Sequence, residues 1–487
     1  MSTSFEFKFP PFGEHQERLF PLRREEAKWA HFWEMGTGKS WMVCNEVAWA
    51  FLNGEIDTFV VMAKKGEYAN WALFLIPDLM PANIDIEIVL FNSSLYSQNK
   101  LNDQLNSLCK PNYPGQRRRL RVLVCNVEAL PYRLPEVFER LYETAKGVFR
   151  ATDESTCIKT YDAARSKVSY FWAAKSRMRR IMTGTPVTQS PLDLWGQTMD
   201  LGKGLLINTS FFSFRNTYCE FENIYLGKRV VKKISHYKNL DKLNGILSSF
   251  SDQVYKEDVL DLPPKVYKKH AVEMKPEQAK LYEQMRTEAM LEIEGHEVEV
   301  TTVLAQVVKL HQIACGQLKV GEDEYVSIDN NRIEALLELL EDFNGKAIIW
   351  ATYRQTLVDV VKAIRQKFGP RSTVDFYGGT SAPDRERAVR DFQDPNSPVR
   401  FFVANPQSAG YGTTLTEATL VIYYSNGYNL EHRLQSEDRA HRIGQTKSVT
   451  YVDFVTPGTV DERIVEVLRN KKNLAQEVLG SPISEWI

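Results

Sequence analysis

From its start to about residue 200 the chain alternates short apolar or β-branched runs with amphipathic stretches. Phe59 to Ala63, Ile86 to Phe91, Val122 to Cys125 and Arg180 to Thr183 are strand-length runs set between helical patterns. Strand runs alternating with helical ones indicate a parallel sheet in an α/β layering. From Gly202 to Asp261 the pattern turns aromatic, basic and helical, with no clear strand series, and Leu262-Pro263-Pro264-Lys265 breaks it. Lys275 to Gln317 is helical in composition. After Asp329 the alternation resumes with Ala347 to Ala351, Val374 to Tyr377, Phe401 to Ala404, Leu420 to Tyr424 and Thr450 to Val455. Asp461 to Leu479 reads as an amphipathic helix opened by Thr459 or Asp461 and ended by Gly480. The expected organisation is an α/β lobe over 1–201, a helical insertion over 202–262, a linker and second helical insertion over 263–330, a second α/β lobe over 331–460 and a C-terminal helix over 461–487.

Composition adds bounds to this picture. With 487 residues, 43% hydrophobic and 25% charged, the chain can bury one or two large cores, and its length favours at least two domains. No stretch reaches the apolar length of a membrane span, and Met1 to Phe12 lacks a basic region followed by an apolar run, so a cytoplasmic or nuclear protein is expected. The six cysteines are scattered without a CxxC pair, which fits buried small hydrophobes in a reducing compartment better than zinc or disulfides. A net charge of -1 excludes a global polycation, yet basic residues bunch at Arg117 to Arg121, Lys175 to Arg180, Lys228 to Lys233 and Lys265 to Lys269. Each bunch reads either as a phosphate-binding patch or as a solvated face.

Two segments carry candidate chemistry. Glu34-Met35-Gly36-Thr37-Gly38-Lys39-Ser40 follows an apolar segment and opens a helical pattern, the context in which glycines let backbone N–H groups converge on phosphate oxygens. There Lys39 would reach the β- and γ-phosphates and Ser40 would ligate Mg²⁺. Trp33 stands where the general phosphate-loop pattern has its first glycine. Further on, Asp153-Glu154 follows a semi-apolar segment; Asp153 would hold the metal and Glu154 would orient or deprotonate a water. Alone, such a pair also reads as a solvated turn or a helix cap.

The ordered set of motifs resembles the Swi/Snf-type ATPases of helicase superfamily two. The residues that carry it are Gln16, Glu34 to Ser40, Asp153-Glu154 with Ile158-Lys159, Thr183-Gly184-Thr185-Pro186 with Leu194-Trp195, and Leu262 to Lys265. Gln278 with Leu281-Tyr282, the block Gln435 to Gln445 and Gly458 to Glu462 complete it, so the resemblance spans nearly the whole chain. It implies two RecA-like parallel-sheet lobes with helical insertions, the helicase superfamily two core, with ATP between them and duplex DNA across both. It implies that Gln16 reads adenine, that Gln435 contacts the γ-phosphate region and that Arg439 and Arg442 are arginine fingers, with Gly36, Thr37, Gly38 and Gly412 also at the nucleotide. By motif position the DNA contacts would be Lys64, Lys65, Tyr353, Arg354, Gly379, Thr380, Arg385 and Ser408. Trp71 fits packing better than base stacking.

Departures from the family pattern are localised. Ser155-Thr156 stands where the family has Ala-His, Thr414 where it has asparagine, and Tyr428-Asn429 where it has Trp-Asn. Thr156 is expected to hydrogen-bond in place of the histidine. Arg150 and Thr152, in the strand leading to the acid pair, suggest an exposed or weakened strand. The resulting expectation is a DNA-dependent ATP hydrolase that translocates on duplex DNA, grips phosphates rather than bases, acts as a monomer and targets DNA or DNA-bound proteins. Its rivals are a strand-separating or annealing helicase and a degenerate nucleotide- or DNA-binding scaffold.

Overall fold

The computed structural model describes residues 5–479 except 93–97, 114, 116, 208–209, 227–228, 296–299, 322–323, 378–379 and 408–412. The expected site residues Gly379, Ser408 and Gly412 therefore lie outside the described residues. The chain divides into two compact units, the first made of 1–221, 234–261 and 474–482, the second of 222–233, 262–473 and 483–487.

The first unit is built on a seven-stranded sheet. Its strands are β1 (Lys28–Trp33), β2 (Thr58–Ala63), β3 (Asp85–Leu90), β4 (Arg119–Asn126), β5 (Val148–Asp153) and β6 (Met178–Met182), with β9 (Ser251–Val254) added from later in the chain. The order is β3-β4-β2-β5-β6-β1-β9 and every pairing is parallel. Strand β2 is buried along its whole length, as a strand covered by helices on both faces must be. One face packs the helix Lys39–Leu52 through Val43, Val47 and Phe51, and the other packs Leu101, Leu105, Phe138 and Trp172.

The second unit carries β10 (Lys265–Ala271), β13 (Lys346–Trp350), β14 (Thr373–Phe376), β15 (Phe401–Ala404), β16 (Ala418–Tyr423) and β17 (Val449–Val455) in the order β10-β17-β16-β13-β15-β14, again wholly parallel. A small antiparallel pair, β11 (Gln317–Lys319) with β12 (Tyr325–Ser327), follows the helices Pro276–Gly295 and Val300–Ala314. Gln278, in the first of these helices, donates to the carbonyl oxygens of Ile313 (2.8 Å) and Ala314 (3.2 Å), and the Tyr282 hydroxyl accepts the Val460 N–H at 2.9 Å. Those motif residues thus fasten the helical insertion to its own unit.

Three expectations are corrected. The 202–261 stretch, read as helical, contains a two-stranded hairpin, β7 (Cys219–Leu226) with β8 (Arg229–Tyr237), and β9, which pairs with β1. The segment after Pro264, read as linker, is the edge strand β10, whose exposed Lys268 and Lys269 discourage further strand addition.

Strand β5 is neither exposed nor weakened. Arg150 is buried and donates to Asp200 Oδ1 at 2.9 Å and to the Ser169 hydroxyl, while Thr152 donates to Asp200 Oδ2 at 2.8 Å. Asp200 lies in the helix Asp193–Leu201, so an interior ion pair joins that helix to β5. Period and polarity on a single strand could not show the partner supplied 50 residues later.

Candidate active site

The phosphate loop leaves β1 and turns into the helix Lys39–Leu52 with Gly36 at φ 86° and Gly38 at φ 91°. A side chain at Gly38 would be strained there, and its Cβ would also lie 2.1 Å from Gln16 Nε2. The helix begins without a side-chain cap, so its first-turn N–H groups and dipole suit an anion. Lys39 Nζ donates to the carbonyl oxygens of Trp33 (2.8 Å) and Glu34 (3.2 Å), which holds the amine over the loop. Thr37 is buried and its hydroxyl donates to the Glu34 carbonyl at 2.8 Å; Ser40 is half-buried in the first helical turn. Glycine cradle, amine and hydroxyl are the donor set that a magnesium-bound triphosphate requires.

The N-terminal segment docks on this loop. His15 Nε2 meets the Thr37 carbonyl at 2.8 Å, Gln16 Nε2 approaches the Gly38 carbonyl at 3.4 Å, and Gln16 Oε1 accepts the Phe12 N–H at 2.9 Å. Gln16 is thereby fixed beside the loop, where the resemblance places the residue that reads adenine.

Beside the loop lies an interior charge network with no signature in the residue pattern. Asp252 of β9 accepts from the indoles of Trp29 and Trp33, from His31 Nδ1 at 3.0 Å and from Arg23 at 3.3 Å. His31 Nε2 faces Glu46 at 3.3 Å, and Glu46 also accepts from Arg180 Nε at 2.9 Å. Burial alone would lower the His31 pKa, but Asp252 and Glu46 outweigh it and raise it to about 9. Arg180, like Arg121 with Asp57, is an interior ion pair, so the basic bunches that contain these arginines are not wholly surface patches.

The acid pair stands at the end of β5. Asp153 Oδ1 accepts the Glu154 N–H at 3.0 Å and Oδ2 accepts the Trp71 indole N–H at 2.7 Å. Trp71 is buried, so packing is its role, and it additionally aims the carboxylate expected to hold Mg²⁺. Glu154 adopts φ 45° and ψ 60°, the left-handed region that a non-glycine residue enters only when its surroundings hold it. Its Oε2 accepts the Thr183 hydroxyl at 3.0 Å. Beside it, the Ser155 hydroxyl donates to Gln197 Oε1 at 2.7 Å, and Gln197 Nε2 donates to the carbonyl oxygens of Pro186 (2.7 Å) and Asp193 (2.9 Å). Beside the direct bond from Thr183 to Glu154, Ser155 thus gives this tetrapeptide a second link, through Gln197, to the Thr183–Pro186 turn.

In the second unit, Gln435 and Arg439 are buried and Arg442 is half-buried. Arg439 Nη1 and Arg442 Nη1 both reach the Thr413 carbonyl oxygen at 3.5 Å, so the two guanidinium groups converge on one point. Burial lowers the Arg442 pKa, with Asp438 partly opposing it. The helix Leu430–Glu437 before them is pinned by Arg433, which is buried against Glu437 at 2.8 Å, Asn426 at 2.7 Å and Asp453. Gln445 donates to Thr416, Ala418 and Ala440 carbonyl oxygens and ties down the loop after the arginines.

The expected DNA contacts divide. Lys65 is exposed and Lys64 half-buried just beyond β2. In the second unit Tyr377 gathers three of the candidates: Arg354 sits 5.8 Å from its ring, Arg385 donates to its carbonyl at 3.2 Å, and the Thr380 hydroxyl accepts its N–H at 3.1 Å. The Tyr353 hydroxyl instead meets His311 Nδ1 at 2.7 Å within the unit.

Two family descriptions match the chain: "SNF2-related domain" over residues 106–318 and "Helicase conserved C-terminal domain" over residues 331–444. Among curated relatives, the chain is 27% identical over 339 residues to an uncharacterized ATP-dependent helicase, MG018, of Mycoplasma genitalium, covering 68% of this chain and 31% of that protein. It is 28% identical over 362 residues to the chromatin structure-remodeling complex subunit snf21 of Schizosaccharomyces pombe, covering 70% and 30%. It is 27% identical over 335 residues to the DNA annealing helicase and endonuclease ZRANB3 of Mus musculus, covering 67% and 30%. The chain thus spans under a third of the length of these relatives. A solved structure, the Sulfolobus solfataricus SWI2/SNF2 ATPase core in complex with dsDNA, aligns over 98% of this chain and 95% of its own at a TM-score of 0.42 and 22% identity. The first family match takes in the acid pair and the second the converging arginines, in the order the motifs run, so the chain joins an SNF2-related domain to a helicase C-terminal domain.

Proposed function

We propose that this chain is a DNA-dependent ATPase that translocates along duplex DNA and so remodels DNA or protein–DNA complexes. The observation that carries the reading is Glu154, held in a costly backbone conformation with its carboxylate on Thr183, directly after an acid already oriented by Trp71. Strain of this kind persists where a catalytic group must be fixed.

In the proposed mechanism the Gly36–Gly38 cradle and Lys39 bind the phosphates and Gln16 reads the adenine edge. Ser40 and Asp153 would hold Mg²⁺, which neutralises charge on the phosphates. Glu154 takes a proton from the attacking water as its oxygen bonds to the γ-phosphorus; the bond from that phosphorus to the bridging oxygen breaks, and ADP leaves with the electron pair. Arg439 and Arg442, with Gln435, would stabilise charge on the transferring phosphoryl when the lobes close, which couples hydrolysis to movement. Lys64, Lys65, Arg354, Thr380 and Arg385, with Tyr353, Gly379 and Ser408, would grip phosphates of the duplex irrespective of sequence. We take the motor to act as a monomer in a bacterial or phage-infected cytoplasm, or in the nucleus of a eukaryote.

The test is ATP hydrolysis against duplex, single-stranded, forked and RNA ligands, followed by triplex displacement on the preferred duplex. Stimulation by duplex with displacement supports translocation; stimulation by single strands only, without displacement, favours a strand-separating or annealing helicase. Hydrolysis no faster than that of Lys39→Ala, with or without DNA, would leave a nucleotide-binding scaffold.

A further inference from the structure

The hydrogen bonds around Glu154 form a closed circuit. Its carboxylate is joined to Thr183, the Thr183–Pro186 turn is joined through the Pro186 carbonyl to Gln197, and Gln197 is joined through Ser155 back to the backbone of Glu154. Thr183 is fixed in this circuit because its hydroxyl also accepts the Thr185 N–H at 3.1 Å. The Glu154 N–H, on the side away from Ser155, is held by Asp153.

The Gln197 side chain touches two sides of the circuit, and its amide has one admissible orientation. Nε2 faces two carbonyl oxygens, so turning the amide over would set oxygen against oxygen at both. The residue is fully buried in the helix Asp193–Leu201. Within that helix Gly196 permits close approach to the acid loop: a Cβ there would be 2.5 Å from the Lys159 carbonyl oxygen. The same helix is anchored at its start, where Asp193 Oδ2 accepts the N–H groups of Thr188 and Gln189 at 3.0 and 2.8 Å. The circuit therefore closes on a rigid base.

We infer that Gln197 is a positioning residue for hydrolysis: by joining Ser155 to the Pro186 carbonyl it keeps Glu154 in its left-handed conformation and makes the glutamate follow the Thr183–Pro186 turn. The inference rests on the ATPase reading above. Lys39, Gly36 and Gly38 stand outside the circuit, so loss of Gln197 should spare nucleotide binding and slow turnover. In Gln197→Leu the shape is nearly kept, but Ser155 loses its acceptor and the loop is free to relax to negative φ, withdrawing the carboxylate from Thr183.

The experiment measures DNA-stimulated kcat and KM for ATP, with thermal unfolding, for wild type, Gln197→Leu, Ser155→Ala and the double variant. The expected result is a fall in kcat of about tenfold or more for Gln197→Leu with KM within about twofold, since misplacement of a catalytic group is costly while binding is separate. In the double variant no Ser155 hydroxyl is left unpaired, so stability should recover while kcat stays low. Unchanged kcat in Gln197→Leu, or kcat recovering in step with stability in the double variant, overturns the inference. Should the leucine variants fail to fold, Ser155→Ala decides: slowed turnover at wild-type KM supports it and unchanged turnover overturns it. Wild-type hydrolysis no faster than Lys39→Ala is a different failure, which removes the ATPase reading and this inference with it.

Discussion

At the scale of single residues, the reading stands on groups whose surroundings leave them little freedom. Lys39→Ala should reduce hydrolysis to background, since it removes the amine held over the Gly36–Gly38 cradle; a colorimetric phosphate assay checks it. Trp71→Phe keeps the buried ring but removes the donor to Asp153, and it should raise the Mg²⁺ concentration needed for half-maximal activity several-fold, at on the order of 1 kcal/mol for one charge-assisted hydrogen bond; a magnesium titration of ATPase rate at saturating ATP reads this out. The motif residues Lys39, Glu154, Arg439 and Arg442 were legible because their spacing and neighbours are distinctive strings. Gln197 and the Asp453 pairing of Arg433 were not, because the partner is distant in sequence, and Trp71 was legible as a packing residue but not as the donor to Asp153. Gln197 carried one available signal: a polar residue among Leu194, Trp195 and Leu201 on a helix that must bury itself.

At the scale of elements, polar residues in the interior strands recur as cross-links between strand and helix. Arg150 with Asp200 joins β5 to its helix, and His31 with Glu46 and Asp252 joins β1 to the helix Lys39–Leu52 and to β9. Breaking such a pair on one side leaves a buried charge, so Asp200→Ala should destabilise the first unit by about 3 kcal/mol, seen as a lower urea midpoint. The apolar strands β2, β13 and β15 could be read directly from their runs, and both sheets were expected as parallel. The hairpin β7–β8 and β10 escaped because Arg229 to Tyr237 and Lys265 to Ala271 carry exposed lysines that mask the strand pattern, and β9 because its four residues, Ser251 to Val254, include three polar ones. Edge and protruding strands have water on one side and need no continuous apolar run.

At the scale of the whole molecule, each unit contains a histidine whose pKa is raised to about 9. For His311 in the second unit, burial alone would lower it, but Cys315 and Asp461 outweigh burial. A raised folded-state pKa means that the native state holds protons the unfolded chain releases. The stabilisation is complete below the ordinary imidazole value of about 6.5 and is lost as pH climbs through about 9. The melting temperature should accordingly fall between pH 7 and pH 9.5, and His31→Gln should flatten part of that decline; differential scanning fluorimetry across this range checks the sign. Among the described residues no helix is long and apolar enough to cross a membrane.

The burial of all six cysteines has a practical consequence. Thiols kept from water, several of them with their pKa pushed up by burial, react slowly with maleimides. The native chain is therefore a nearly silent background for dye attachment. Glu55→Cys in the first unit and Gln366→Cys in the second, both at exposed positions, would give two addressable handles without first stripping the natural thiols. Energy transfer between such a pair of fluorophores, followed in single molecules while ATP and duplex are added, would report directly whether the two units change their separation once per turnover.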